Sequence, residues 1–169
     1  MLRPIVKHGE RVLHRPSEPV GEFTPEIQQL IDDMIGTMYA APGVGLAAPQ
    51  VGIPLRLFVV DISAGRRSGE LRVCVNPEFV SRSGTQLEEE GCLSVPGFTA
   101  TVLRPARAVV SCLDREGHQQ VIEAQDLLAR ALQHEMDHLD GTTFVDRLRG
   151  IQRQQILRKI HKMKRAGKW

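Results

Sequence analysis

The segment HEMDH at 134–138 is the strongest constraint on how this chain folds. On an α-helix two histidines four residues apart stack on one face, within reach of one metal ion. Glu135 sits beside them as a proton carrier. The sequence continues as HEMDHLDGTTF, with Gly141 where a metalloprotease pattern has a glycine. Phe144 occupies the next ligand position of that pattern and offers no donor atom. A second protease class uses a downstream Glu as third ligand, but no Glu follows Glu135. A metal site here therefore needs its remaining ligand from upstream, and the fold must bring that segment against the helix.

The cysteines stand at 74, 92 and 112. Cys74 and Cys112 lie inside apolar strand patterns, RVCVN and VSCLD, and read as small core residues. Cys92 lies in EEEGCLSVPG, flanked by Gly and Pro at the end of a strand pattern, where the backbone can carry a thiolate to a ligand position. A Cys-His-His set leaves a fourth position open for water, as catalytic sites do. HExxH alone also fits an ordinary surface helix. Against that, Leu128, Ala131, Leu132, Glu135 and Leu139 share one side, so this face is buried, and buried charges need a partner or a metal. An odd cysteine count without CxxC argues against a disulfide framework and for a reducing compartment.

The other elements follow from local signals. Residues 1–23, with prolines at 4, 16 and 19, read as an irregular lead-in. Thr24-Pro25 caps and opens a helix, and apolar residues at 27, 30, 31, 34, 35 and 38 carry it to 39–41. APGVGLAAPQVG at 41–52 reads as a loop. Strands are expected at 55–62, 71–80 and 84–90, with a hairpin at 107–114 and 119–124. A helix from Asp126 to Asp140, closed by Gly141, and a last helix over 151–165 complete the chain. Strands followed by helices without β-α alternation indicate an α+β fold. The expectation is one domain over 1–169: antiparallel or mixed sheets around the helix that carries HExxH, with a basic C-terminal helix at 150–169. No long apolar run and no apolar leader are visible, so neither a membrane span nor a secretory signal is expected.

The net charge of +2 hides an asymmetry. Residues 147–169 hold nine Lys and Arg and no acid, whereas 1–146 hold 13 basic and 20 acidic residues. The tail reads either as a solvated helix face or as a contact for an anionic partner. It has no aromatic residue before Trp169, which argues against base stacking and sequence-specific nucleic-acid binding.

Three separated segments, GVGLAAPQ (43–50), EGCLS (90–94) and HEMDH (134–138), together resemble the signature segments of the peptide deformylases, in that family's order and at comparable spacing. The resemblance extends over nearly the whole chain and points to the bacterial class. It implies removal of the formyl group from N-formylmethionine on new polypeptides, with release of formate. It implies Cys92, His134 and His138 as ligands of Fe²⁺, for which Zn²⁺, Ni²⁺ or Co²⁺ can substitute. It further implies Glu135 as general acid/base, and Gln50 with the backbone N–H of Leu93 as oxyanion donors. Val44, Gly45 and Gly91 are the expected backbone partners of an extended substrate, Gly43 and Gly45 being glycines that permit close approach. The same likeness implies a cytoplasmic enzyme, or an organellar mature form, and a C-terminal helix that docks on the ribosome. Glu90 and Arg104 are either a pair holding the Cys92 segment or two independent charges. Arg130, where many relatives carry an apolar residue, and Thr99, where a larger side chain is common, bear on the cleft rim. A zinc peptidase using His161 is the weaker enzymatic alternative, since that His lies in a strongly basic helix. A catalytically dead relative is disfavoured because Gln50, Cys92, His134, Glu135 and His138 are all present.

Overall fold

The computed structural model describes residues 1–169. A lead-in with one 3-10 turn (Arg11–His14) precedes α1 (Pro25–Ala40). Then come β1 (Gly45–Ala47), a 3-10 turn (Ala48–Val51), β2 (Leu57–Val60), β3 (Arg72–Ser83), β4 (Gln86–Gly91) and β5 (Thr99–Arg104). The chain closes with β6 (Arg107–Leu113), β7 (Gln119–Gln125), α2 (Asp126–Leu139), α3 (Phe144–Arg147) and α4 (Gly150–Arg165). Five strands form a sheet in the order β1-β2-β3-β6-β7, and β4 and β5 form a separate ribbon. All pairings between these strands are antiparallel, so the fold is α+β.

Strand β2 explains the layering. Its side chains alternate between the two faces of the sheet. Leu57 and Val59 pack with Leu30, Ile31, Met34 and Met38 of α1. Phe58 and Val60 pack with Leu132, Met136 and Leu139 of α2. The strand is covered on both sides, which accounts for an LFVV run with no polar residue. Each such buried side chain stabilises the fold by roughly 1.5–3 kcal/mol. Helix α2 is thereby fixed against the sheet, and every residue from Ala129 to Leu139 is buried.

The helix ends follow the local chemistry. Thr24 Oγ1 accepts from the Ile27 N–H at 3.3 Å, and Pro25 opens α1. After α2, Gly141 adopts φ +80°. A Cβ there would lie 2.7 Å from the backbone of Arg15, so the turn that ends the metal-site helix demands glycine.

Besides the short α3 and the two 3-10 turns, three strands depart from the sequence reading. The segment expected to be all loop contains β1, which pairs Gly45–Ala47 with Phe58–Val60. The strand expected over 84–90 is β4, and its partner β5 is an element the local signals did not mark. In β5, Ala100, Val102 and Arg104 point inward while Thr99, Thr101 and Leu103 stay exposed. Strand β3 runs on to Ser83 through irregular pairing between Val75 and Glu78 and between Phe79 and Ser81. Helix α4 buries Ile156 and Ile160 against Phe144, Val145, Val95 and Val102, and leaves Arg158, Lys159, Lys162 and Arg165 exposed.

Candidate metal centre

Helix α2 presents His134 and His138 one turn apart with their Nε2 atoms 3.3 Å from each other. Cys92 follows the end of β4, and its Sγ lies 3.3 Å from His138 Nε2. All three donor atoms fall within 4.8 Å of one another. Ligands on one tetrahedral ion, with bonds of ~2.0–2.3 Å, stand roughly 3.3–3.6 Å apart, so this donor set fits a divalent transition ion with a fourth position open. Phe144 is fully buried and stacks on His134, with centroids 6.5 Å apart. It walls the site rather than serving it.

The surroundings set the state of each ligand. Burial pushes the His138 pKa well down, leaving a neutral imidazole. Burial opposes charge on His134 too, but Cys92 and Glu90 outweigh it and raise its pKa. His134 Nδ1 lies 2.5 Å from Glu90 Oε1, so Nδ1–H donates there and Nε2 faces Cys92 and His138. Burial alone would raise the Glu90 pKa; hydrogen bonds from Arg104 and His134 hold it below the usual carboxylate range. Arg104 donates to Glu90 at 2.8 and 2.6 Å and to Asp137 at 3.0 Å. The two charges at 90 and 104 are thus a buried pair. Arg130 also donates to Glu90, to Gln86 Oε1 at 2.9 Å and to the Val102 carbonyl at 2.7 Å. Arg147 grips Asp137 through two bonds of 2.6 Å.

Gln50 lies beside the ligands because the 3-10 turn after β1 aims it there. Its Oε1 accepts from the Ala47 N–H at 2.9 Å, which fixes the amide with Nε2 toward the site. Nε2 donates to Ser94 Oγ at 3.0 Å and lies 3.6 Å from Cys92 Sγ. The Leu93 N–H meets no protein acceptor. Glu135 is 4 % exposed, and burial pushes its carboxyl up to about 7. Its Oε2 has no hydrogen-bond partner. Gly45 lies against this carboxylate so closely that a Cβ would sit 2.6 Å from Oε1. A cavity of about 730 Å³ opens here, lined among others by Val44, Gly45, Gln50, Gly91, Leu93 and Glu135. Of the residues expected to bind metal or substrate or to act in catalysis, only His138 is missing from its lining. Val44 gives its carbonyl to the Asp61 N–H at 2.8 Å, so only its N–H is free for a ligand.

The family model for polypeptide deformylase matches residues 2–154. The chain belongs to the peptide deformylase family. A peptide deformylase of Acidobacterium capsulatum is 47% identical over 169 residues, spanning 100% of this chain and 99% of the relative. One of Thermodesulfovibrio yellowstonii is 48% identical over 161 residues, spanning 95% and 97%. A crystal structure of a peptide deformylase from Legionella pneumophila superposes with TM-score 0.92 at 46% identity, covering 99% of this chain and 98% of that one. The Ehrlichia chaffeensis deformylase, solved in complex with actinonin, superposes with TM-score 0.89 at 38% identity over 97% and 98%. Peptide deformylases are metal-dependent hydrolases that cut the formyl amide at the N-terminus of nascent polypeptides. In this deformylase chain, the sequence reading missed three residues of the site's frame. Ser94 was legible only as a neighbour of Cys92. Asp137 and Arg147 are ordinary charges until α2 and α3 meet. Arg130, expected to bear on the cleft rim, lines the cavity and is also tied into the Glu90 network. Thr99 does stand at the rim, opposite Gly91.

Proposed function

We propose that Cys92, His134 and His138 hold one Fe²⁺, replaceable by Zn²⁺, Ni²⁺ or Co²⁺, in an enzyme that deformylates N-formylmethionyl peptides. The observation that carries this reading is the convergence of three N/S donors, a buried carboxylate and a fixed amide at one end of a cavity. Bound there, a divalent ion supplies an acidified water. Glu135 takes the proton of the attacking water and delivers it to the amine nitrogen as the C–N bond breaks, and its pKa of about 7 suits both directions of transfer near neutrality. The Gln50 amide and the Leu93 N–H donate to the oxyanion of the tetrahedral intermediate, each worth about 3–4 kcal/mol. The substrate lies extended between β1 and the end of β4, meeting the backbone of Val44, Gly45 and Gly91.

The choice of iron rests on the family resemblance, since a thiolate and two imidazoles suit Zn²⁺, Ni²⁺ or Co²⁺ as well. Metal analysis of anaerobically purified protein, with formate release from formyl-Met-Ala, tests the reading. Cys92→Ala is expected to abolish both bound metal and activity; metal retained in that variant sinks the ligand assignment.

The exposed basic face of α4 supports docking on the ribosome, in the cytoplasm. No helix is long and apolar enough to cross a membrane. Replacing Arg158, Lys159, Lys162 and Arg165 by Ser is expected to weaken salt-sensitive ribosome binding while formyl-Met-Ala turnover persists. Unchanged ribosome affinity overturns the docking.

A further inference from the structure

The two ends of the chain meet behind the metal centre. The N-terminal segment 5–8 runs as a strap across both loops that carry site residues. The Val6 N–H donates to the Gln50 carbonyl at 2.8 Å, and the His8 N–H donates to the Ser94 carbonyl at 2.8 Å. These two bonds tie the 3-10 turn holding Gln50 to the segment holding Cys92 and Leu93. The strap is itself fastened by the last residue. Past α4, Gly167 at φ +71° turns the chain back, and Trp169 Nε1 donates to the His8 carbonyl at 2.9 Å. Lys7 Nζ lies 5.9 Å from the Trp169 ring. The same indole meets Phe98 edge-on, with centroids 6.1 Å apart and planes at 61°. Phe98 and Ile5 both line the cavity. One side chain thus touches the strap on one side and a cleft-lining aromatic on the other.

We infer that Trp169 is a positioning residue of this active site: by holding His8 and Phe98 it sets the relative placement of the Gln50 amide, the Leu93 N–H and the cleft wall. The inference rests on the deformylase reading above. Its physical basis is that donors to a developing oxyanion act only when held in register, and displacements of about 1 Å cost rate. The strap bond bears on the donors, hence on kcat. The Phe98 contact bears on the wall, hence on KM.

The test uses the metal-loaded full chain, with formate release from formyl-Met-Ala-Ser and hydrogen exchange at the Val6 and His8 amides. Trp169→Ala is expected to lower kcat about fivefold, the scale of one net hydrogen bond, to raise KM, and to speed exchange at both amides. Trp169→Phe restores a ring against Phe98 but no N–H donor. It is expected to return KM toward the parent value while kcat stays low. Parental kcat and KM in Trp169→Ala overturn the inference. So does a loss of activity that only tracks loss of bound metal, and so does unchanged amide exchange. A parent enzyme that releases no formate overturns the proposed function instead, and the exchange rates at Val6 and His8 then still judge the strap.

Discussion

His134 Nδ1 is bound to Glu90 Oε1 at 2.5 Å, whereas the Nδ1 of His138 has no hydrogen-bond partner. One proposed ligand is therefore oriented by a carboxylate that two arginines hold in place, and the other by packing alone. Removing the charge at Glu90 should loosen His134 specifically. Glu90→Gln is expected to weaken metal binding by roughly 10- to 100-fold. Competition with a chelator measures this directly. Parental affinity in the variant would falsify the idea that Glu90 orients the ligand.

Arg130 is 4 % exposed and shares Glu90 with Arg104. Removing Arg130 leaves Glu90 with one guanidinium instead of two and leaves Gln86 Oε1 and the buried Val102 carbonyl without their donor. Arg130→Met is therefore expected to lower stability by about 3 kcal/mol. Arg104 still holds Glu90 in this variant, so metal affinity should fall less than in Glu90→Gln. Chemical denaturation of the two single variants and the double variant measures the coupling. Strictly additive losses would mean that Arg130 and Glu90 do not act as a unit.

The parts of this molecule legible in the sequence are those written in local chemistry. The Thr24-Pro25 start, the apolar period of α1, the HEMDH spacing and the Gly141 stop each mark structure within a few residues, and α1 and α2 match them. Cys92 was also legible, because a Gly- and Pro-flanked cysteine differs from cysteines inside apolar strand runs. What stayed hidden depends on distant partners. β5 does alternate, but Thr99, Thr101 and Leu103 face solvent, and its inward positions end in Arg104, whose burial makes sense only beside Glu90 and Asp137. β1 hides in a Gly- and Pro-rich stretch because three residues suffice once β2 is there to pair with it. Ser94 carries no signal of its own until Gln50 is folded against it.

Tyr39 provides a pH probe outside the Cys92, His134 and His138 donor set. Its hydroxyl donates to the buried Asp61 Oδ2 at 2.6 Å, and Asp61 also accepts from Ser63 and Gly65. Burial, with the adjacent carboxylate, pushes the Tyr39 pKa from 10.0 up to about 12. The folded-state value is raised, so the stability tied to this hydroxyl is complete below the unfolded pKa near 10 and is lost as pH rises through about 12. The chain has one tyrosine, so tyrosinate absorbance after a rapid pH jump reports this residue alone. The midpoint should lie near 12 in the folded chain and near 10 in urea. Equal midpoints in the two conditions would refute the Tyr39–Asp61 bond. Tyr39→Phe should remove that part of the alkaline stability loss.

Under the proposed roles, variants at Gly45 and Glu135 separate metal binding from proton transfer. A Cβ at position 45 would stand 2.6 Å from Glu135 Oε1 and 3.1 Å from its Cγ, too close for the carboxylate to stay where it is. Neither residue belongs to the Cys92, His134 and His138 donor set. Gly45→Ala should therefore displace the proton carrier and leave the bound metal intact. Glu135→Gln removes the exchangeable proton without the clash and is expected to lower kcat by roughly 10²- to 10⁴-fold. Because Gly45→Ala also narrows the cleft beside β1, it should raise KM, while Glu135→Gln should change KM little. Metal content and steady-state kinetics on formyl-Met-Ala distinguish the two variants. If Gly45→Ala keeps parental kcat, Glu135 can work from a second position, and the tight packing of Gly45 on the carboxylate is not what places the proton.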